Sequence, residues 1–185
     1  MSNKLQPRNP PYPDDIALIL SKYPQQDGYL LALFRTFANS RRFLEKGMPN
    51  LLDKESPLLL REREIVVLRT TANRNCEYEW GVHVAIFAKH ACFAEDQVRA
   101  TRLGRWDDDA WPAREKALLR VVDDLCAEGI VTDEAMPAFA EHWSVEEQLE
   151  IIALVGAYST ASFVANTARL ALEPFGARFP GSLRD

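Results

Sequence analysis

Apolar residues recur at intervals of three and four along most of this chain, which is the spacing of one face of an α-helix. The longest such stripe lies near the carboxyl end and comprises Ile151, Leu154, Tyr158, Ala161, Ala165, Ala168 and Leu172. Strands joined by tight turns would instead alternate apolar and polar residues over short runs, and no segment of the sequence does so. The pattern therefore predicts an all-α fold.

Capping residues and prolines divide the chain into predicted helices. Ser144, followed three residues later by Glu147, has the spacing of a capping box, and Ser56 before Pro57 is typical of a helix start. The predicted helical segments are 14–23, 28–46, 57–73, 75–91, 95–102, 112–128, a segment capped by Thr132 or Asp133, and 144–172. Four of the 11 prolines lie in residues 1–13. We therefore expect an irregular arm there and a single helical domain over residues 14–185.

The net charge and the cysteine content indicate the cellular compartment and exclude some classes of binding partner. A formal net charge of −5 disfavours a nucleic acid partner, because phosphate contacts need a basic face. The three cysteines, Cys76, Cys92 and Cys126, have no CxxC spacing and fit a reducing cytosol. The amino terminus lacks the apolar run of a signal peptide, and the stretch from Ile151 to Ala165 is too short and too polar for a membrane span. We expect a cytoplasmic protein with no membrane partner.

Three chemically active side chains share one predicted helical face, with Cys76, Glu79 and His83 at positions i, i+3 and i+7. A carboxylate and an imidazole four residues apart can form a hydrogen bond, which orients the ring and favours its protonated form. Such a pair suits proton transfer near neutral pH. The helix dipole and a nearby imidazolium would stabilise the thiolate of Cys76. The pattern thus admits either acid–base chemistry or thiol chemistry.

The spacing of these residues from Glu64 resembles that of a known superfamily. Eleven residues separate Glu64 from Cys76, two separate Cys76 from Glu79, and three separate Glu79 from His83. This resembles the carboxymuconolactone decarboxylase and alkylhydroperoxidase D superfamily, whose peroxidase branch carries a second cysteine where this chain has Glu79. The resemblance is densest over residues 60–100. It implies an alkylhydroperoxidase D-like helical bundle that forms homo-oligomers.

The resemblance implies catalytic roles for Glu64, Cys76, Glu79 and His83 on a small-molecule substrate. In the peroxidase branch the residue at the position of Glu79 would attack the peroxide, so Cys76 would have to act alone or with an external thiol. The decarboxylase branch keeps a Glu-x3-His pair, which suits acid–base work on a small organic acid or lactone. We place this chemistry ahead of a thiol-dependent hydroperoxidase. A non-catalytic binding or assembly module is the third hypothesis.

Each candidate residue also has a structural interpretation. Cysteine is commonly buried as a small apolar residue, and Glu64 has charged sequence neighbours that could pair with it. Cys76, Glu79 and His83 are one ligand short of a structural zinc site, and the sequence has no phosphate-binding loop or dinucleotide fingerprint; we expect no metal and no cofactor. The other polar and aromatic candidates are expected in core, pocket-wall or exposed positions, and they are Tyr78, Trp80, Phe87, His90, Cys92, Cys126, His142 and Asn166.

Overall fold

The computed structural model describes residues 5–25 and 28–181. The nine helices in these ranges are α1 (Asp14–Leu20), α2 (Ala32–Phe37), α3 (Arg41–Lys46), α4 (Leu60–Asn73), α5 (Glu77–Phe87), α6 (Glu95–Leu103), α7 (Ala113–Ala127), α8 (Met136–His142) and α9 (Val145–Ala168). No β-strand occurs in the described part of the chain. The predicted all-α fold is confirmed.

Helix α4 is the centre of the bundle. Ile65, Val66, Val67 and Leu68 are fully buried in succession, so apolar side chains point outward from α4 in every direction. A helix that is apolar all round must be covered by neighbours, and α4 packs against α5, α6, α7 and α9. A polar side chain on this part of α4, such as Glu64, is therefore placed inside the protein.

Two apolar clusters make up most of the core. One joins α4, α7 and α8 to the first half of α9 and includes Phe139 and Leu154. The other joins α1, α2 and α3 to α5 and the second half of α9, and it includes Leu33 and Val82. Helix α9 runs through both clusters, which explains why its apolar stripe is the longest in the sequence.

The predicted helix over residues 28–46 is wrong, because the chain forms the two short helices α2 and α3 there. Residues 38–40 interrupt the helical path, and Ser40 begins α3 by accepting a hydrogen bond at its side chain from the Phe43 N–H. Serine is a strong N-cap residue. The sequence therefore contained a local signal for this break, which the surrounding apolar spacing obscured.

The connection between α4 and α5 is short, and it sets the position of Cys76. Asn75 has a φ of 51°, a left-handed conformation that asparagine tolerates better than most residues. Only residues 74–76 separate the two helices, so α5 folds back against α4. Cys76 is consequently the N-cap of α5 and lies outside the helix in which the sequence pattern placed it.

The other helices begin or end near the predicted capping residues, and some boundaries differ by a few residues. The Ser144–Glu147 capping box is confirmed, with Ser144 accepting from the Glu147 N–H. Helix α9 ends at Ala168 and does not reach Leu172, because Arg169 turns into the left-handed conformation with a φ of 54°. Helices α4 and α8 also begin later than predicted, at residues 60 and 136.

The segment after α9 returns to α5 and covers it. The Ala177 N–H donates a hydrogen bond of 3.0 Å to the Gly81 carbonyl. A Cβ atom at Gly81 would lie 2.2 Å from the Ala177 oxygen, so this close approach requires glycine. Trp80 and Phe179 pack beside it with ring centroids 5.2 Å apart. Residues 26, 27 and 182–185 of the predicted domain lie outside the described residues.

The proline-rich arm is non-helical over residues 5–13. It is tied to the body by Arg8, whose guanidinium donates to the Ala38 carbonyl at 3.2 Å. Residues 1–4 of the predicted arm lie outside the described residues.

Helix α9 is the one helix of the described residues with the length and composition to cross a membrane. More than half of its apolar window is buried inside the bundle, and α9 packs against α2, α4, α5, α7 and α8. Burial of this kind is typical of the core helix of a soluble protein. The fold is therefore that of a soluble helical protein.

Candidate active site

The candidate site lies inside the bundle, where α4 faces α5. Glu64 comes from the first half of α4, and Glu79 and His83 lie one turn apart on α5. All three side chains are buried, with 1%, 4% and 5% of their residue surfaces exposed. Ionisable groups are rarely buried without partners. The site brings together three of the four residues that the sequence motif singled out.

His83 is held by Glu64 and not by its neighbour on the same helix. The His83 Nδ1 atom lies 2.9 Å from Glu64 Oε2, whereas His83 Nε2 lies 3.9 Å from Glu79 Oε2. A carboxylate can only accept, so Nδ1 carries the hydrogen and donates it to Glu64. The predicted hydrogen bond between Glu79 and His83 is wrong, because 3.9 Å is too long for one.

The electrostatic environment raises the pKa of both groups on α5. Burial opposes the charged imidazole, but the charge of Glu64, its hydrogen bond and the charge of Glu79 outweigh burial and raise the pKa of His83. Burial also raises the pKa of Glu79, and the charges of Glu173 and Glu64 act in the same direction against that of His83. The site therefore holds the protons of both groups to a higher pH than water would.

Two aromatic rings flank the imidazole. The Tyr158 ring meets His83 edge-on with centroids 5.0 Å apart, and the Phe87 ring lies 5.2 Å away in a tilted arrangement. Burial and the charges of Glu79 and Glu64 raise the pKa of Tyr158 well above its ordinary value, and Arg63 acts against them. Tyr158 therefore stays a neutral hydrogen-bonding group next to His83.

One oxygen of each site carboxyl lacks a hydrogen-bond partner among the described residues. These atoms are Glu64 Oε1 and Glu79 Oε1, and both are buried. An unpartnered buried acceptor costs about 1–3 kcal/mol, which a ligand with an O–H or N–H group would recover. Each of the two carboxyl groups beside His83 thus has a buried oxygen without a hydrogen-bond partner.

The environment of Cys76 contradicts the predicted thiolate. The residue is fully buried in the apolar cluster that contains Val82 and Ala161. Burial raises the pKa of the thiol to about 11, although the backbone N–H groups of Glu79 and Tyr78 act against this shift. The expectation that the helix amino terminus would stabilise the thiolate is wrong, because loss of solvation outweighs the contribution of the helix. All three cysteines are free.

Glu173 is another buried carboxyl group, and it is bonded to α5 through Tyr78. The Tyr78 hydroxyl donates to Glu173 Oε1 at 2.5 Å and accepts from the Leu33 N–H at 3.1 Å. Glu173 also accepts from the Tyr29 hydroxyl and from the Ala32 N–H. This network joins the segment after α9 to α2 and α5, and it fixes the turn of α5 from which Glu79 projects.

The residues expected to have no chemical role occupy varied positions. His90 and Cys92 are exposed, and Cys126 is partly buried. His142 lies edge-on to Trp143 with centroids 5.6 Å apart, and Asn166 donates to the Arg74 carbonyl at 3.0 Å. Within the described ranges, no group of three His, Cys, Asp or Glu side chains is placed to hold a metal ion.

Sequence reasoning missed Tyr158 and Arg63 as neighbours of the site. Tyr158 was included in the apolar stripe of the last helix, where a tyrosine among aliphatic and small residues was the available signal. Arg63 lies in a run of alternating Arg and Glu, which looks like a solvated surface. Only the packing of α4 at the centre of the bundle shows that part of this run is buried.

The fold and the site together define a helical bundle with a buried Glu–His pair between two core helices. The Carboxymuconolactone decarboxylase family profile matches residues 41–124, a range that contains Glu64, Cys76, Glu79 and His83. The match supports the resemblance of this chain to the carboxymuconolactone decarboxylase and alkylhydroperoxidase D superfamily over these residues. Among curated proteins, none matches the chain significantly.

Solved structures share the fold over nearly the whole chain. A peroxidase-related protein from Silicibacter sp. TM1040 is 16% identical, with a TM-score of 0.76, over 97% of this chain and 95% of that one. An alkylhydroperoxidase AhpD core protein from Ralstonia eutropha JMP134 is 22% identical, with a TM-score of 0.71, over 94% and 95%. The debrominase Bmp8, as a cysteine-to-alanine variant in complex with 2,3,4-tribromopyrrole, is 14% identical, with a TM-score of 0.77, over 95% and 94%.

Proposed function

We propose that this protein is an enzyme that transfers protons to and from a small organic acid or lactone. The observation that carries the proposal is the orientation of His83, whose Nδ1 is held by Glu64 at 2.9 Å while Nε2 faces Glu79 without a hydrogen bond. A histidine held through one nitrogen presents the other for proton transfer. The likeness to a debrominase bound to a small ring compound agrees with a small-molecule substrate.

His83 would exchange a proton through Nε2. When the ring carries a proton on both nitrogens, the Glu64 carboxylate beside Nδ1 stabilises its positive charge. Glu64 does not need to be protonated itself. Its role is to fix the ring and its tautomer, which the sequence pattern had assigned to Glu79.

Glu79 would serve as the proton donor. Burial raises the pKa of this carboxyl, so it holds its proton to a higher pH than an exposed glutamate does. In a decarboxylation, cleavage of the carbon–carbon bond releases CO₂ and leaves the electron pair on the substrate carbon. The Glu79 proton would then form the new C–H bond, and the resulting carboxylate would be reprotonated through His83. Acid–base enzymes commonly use two titratable groups whose surroundings give one the role of acid and the other the role of base.

Thiol-dependent hydroperoxidase activity has less support. Its nucleophile would be Cys76, which is fully buried and has a pKa of about 11. At neutral pH almost all of this thiol is protonated, and the thiolate is the reactive form. The position that carries the second cysteine in the peroxidase branch is occupied by Glu79, which cannot form a disulfide.

A substrate panel with three variants tests the proposal. Wild-type protein is assayed on small organic acids and lactones for release of CO₂ or ring opening, and on an organic hydroperoxide with dithiothreitol. We expect acid or lactone turnover that is lost in His83→Ala and retained in Cys76→Ala and in the control His90→Ala. Hydroperoxide turnover that disappears in Cys76→Ala would instead establish thiol chemistry. Ligand binding without turnover would favour a binding module.

A further inference from the structure

Helix α4 carries three arginines near the core, and two of them bind carboxylates in the same way. Arg61 donates from Nε and Nη2 to the two oxygens of Glu115 at 2.6 and 3.0 Å. Arg69 donates from Nε and Nη2 to Asp123 at 2.6 and 2.7 Å. This paired arrangement along one edge of the guanidinium is among the strongest hydrogen-bonded contacts in proteins.

Arg63 leaves the same edge open. Its Nη1 donates to the Asp53 carbonyl at 2.8 Å, which anchors the side chain from the opposite edge. Its Nε is buried and has no hydrogen-bond partner, and no ion pair joins Arg63 to a carboxylate of the described residues. A buried donor of a charged group without a partner is costly. The open edge is therefore unusual, and it is the kind of site that an external carboxylate would fill.

The open edge belongs to the surroundings of the candidate site. Arg63 directly precedes Glu64 on α4, and its charge reaches the Tyr158 hydroxyl, where it lowers the pKa against the effect of burial. The Tyr158 ring in turn lies 5.0 Å from the His83 ring. Arg63 is thus near enough for its charge to act on Tyr158, which packs against the proton-transfer group.

We propose that the Nε–Nη2 edge of Arg63 binds a carboxylate group of the substrate beside Tyr158 and His83. This inference rests on the proposed function and adds to it a requirement that the substrate carry a carboxylate. The requirement follows from the site's charges, because the Glu64 carboxylate would repel an anion that no fixed cation attracted. Arg63 supplies that cation, and its planar edge selects a carboxylate over a neutral group of similar shape.

Binding of simple probes tests this inference without a known substrate. Benzoate carries one carboxylate on a flat ring, and benzamide has the same shape without the charge. Two-dimensional NMR titrations of the full chain would measure the dissociation constant of each probe. We expect wild-type protein to bind benzoate at least about tenfold more tightly than benzamide. A hydrogen bond between charged groups contributes enough free energy for a difference of this size. Equal affinity for the two probes, or no benzoate binding at millimolar concentration, would overturn the inference.

Variants then locate the site of binding. Arg63→Gln should weaken benzoate binding about tenfold or more and leave benzamide unchanged. Arg63→Lys keeps the charge but lacks the paired edge, and it should weaken benzoate binding at least about threefold. Arg105→Gln, at an exposed residue that pairs with Asp107, is the control for net charge. Unchanged benzoate binding in both Arg63 variants, or equal weakening in the control, contradicts the inference.

Failure of this inference and failure of the proposed function are distinguishable. If benzoate binding depends on Arg63 and no acid or lactone is turned over, the carboxylate site stands and the proton-transfer proposal falls. If an uncharged lactone is turned over by His83 with no effect of Arg63→Lys, the proton-transfer proposal stands and the carboxylate site falls.

Discussion

His83 donates its Nδ1 hydrogen to Glu64 at 2.9 Å, so a residue on the neighbouring helix orients the imidazole. The glutamate four residues earlier on the same helix lies farther away, at 3.9 Å from Nε2. This arrangement couples the site to the packing of α4 against α5. It also separates the two carboxyl groups by role, since Glu64 holds the ring and Glu79 faces its free nitrogen.

The first prediction concerns the titration of His83. Glu64→Gln removes the nearest charge and should lower the His83 pKa more than Glu79→Gln does, because Glu64 contributes both a charge and a hydrogen bond. NMR titration of the imidazole signals measures both shifts, and with three histidines in the chain the signals can be assigned by substitution. A larger shift in Glu79→Gln would reverse the two roles.

The second prediction concerns the pH dependence of stability. Since the folded state raises the pKa of Glu79, it binds a proton more tightly than the unfolded state does. The contribution to the free energy of unfolding is therefore fully present below the unfolded pKa and is lost as pH rises through the folded pKa. Wild-type protein should lose more stability between pH 5 and pH 8 than Glu79→Gln does. Thermal denaturation at the two pH values checks this, and equal losses would show that Glu79 ionises freely in the fold.

The third prediction concerns thiol reactivity. At pH 8, a pKa of about 11 leaves roughly 100-fold less thiolate at Cys76 than an ordinary thiol has. Iodoacetamide should therefore label the exposed Cys92 rapidly and Cys76 only after denaturation. Mass spectrometry of digested protein measures the two rates, with Cys92→Ser as the control for peptide assignment. Rapid labelling of native Cys76 would restore the thiol hypothesis.

The fourth prediction concerns the network that holds α5. Tyr78→Phe removes the hydroxyl shared by Glu173 and the Leu33 N–H and leaves both groups buried with one partner fewer. The free energy of unfolding should fall by about 1–3 kcal/mol, as measured by urea denaturation. Tyr29→Phe is the matched control, since Tyr29 also bonds Glu173 but is 40% exposed, so its loss should cost less. An equal or larger loss of stability in Tyr29→Phe would show that the buried Tyr78 hydroxyl does not contribute more than the exposed one.

The fifth prediction concerns assembly. Large apolar side chains remain exposed along one face of α9, at Leu149, Ile152 and Phe163, and Gly156 on the same helix has open space beside it. Exposed apolar surface of this kind marks association sites, and we expect a homo-oligomer that uses this face. Ile152→Lys should shift the sedimenting species toward 21.0 kDa, whereas Leu18→Lys on α1 should not. Wild-type protein sedimenting as a monomer at micromolar concentration would reject the expectation.

Much of the fold could be predicted from the sequence, because the apolar spacing and capping residues of a helix lie close together along the chain. The capping box at Ser144 and Glu147 was readable since both partners lie within one turn. The break at Ser40 was missed because apolar residues continue with helical spacing through it. The end of α9 depends on Arg169 adopting a left-handed conformation, for which arginine gives no local signal.

The sequence by itself determined which residues could meet, and tertiary packing decided what they do. The spacing of Glu64, Glu79 and His83 placed them on two adjacent helices, because helical geometry fixes neighbours along one chain segment. The partner of His83 depended on the distance between α4 and α5, which no local spacing encodes. Burial likewise decided the state of Cys76, since the loss of solvation that raises its pKa comes from helices distant in sequence.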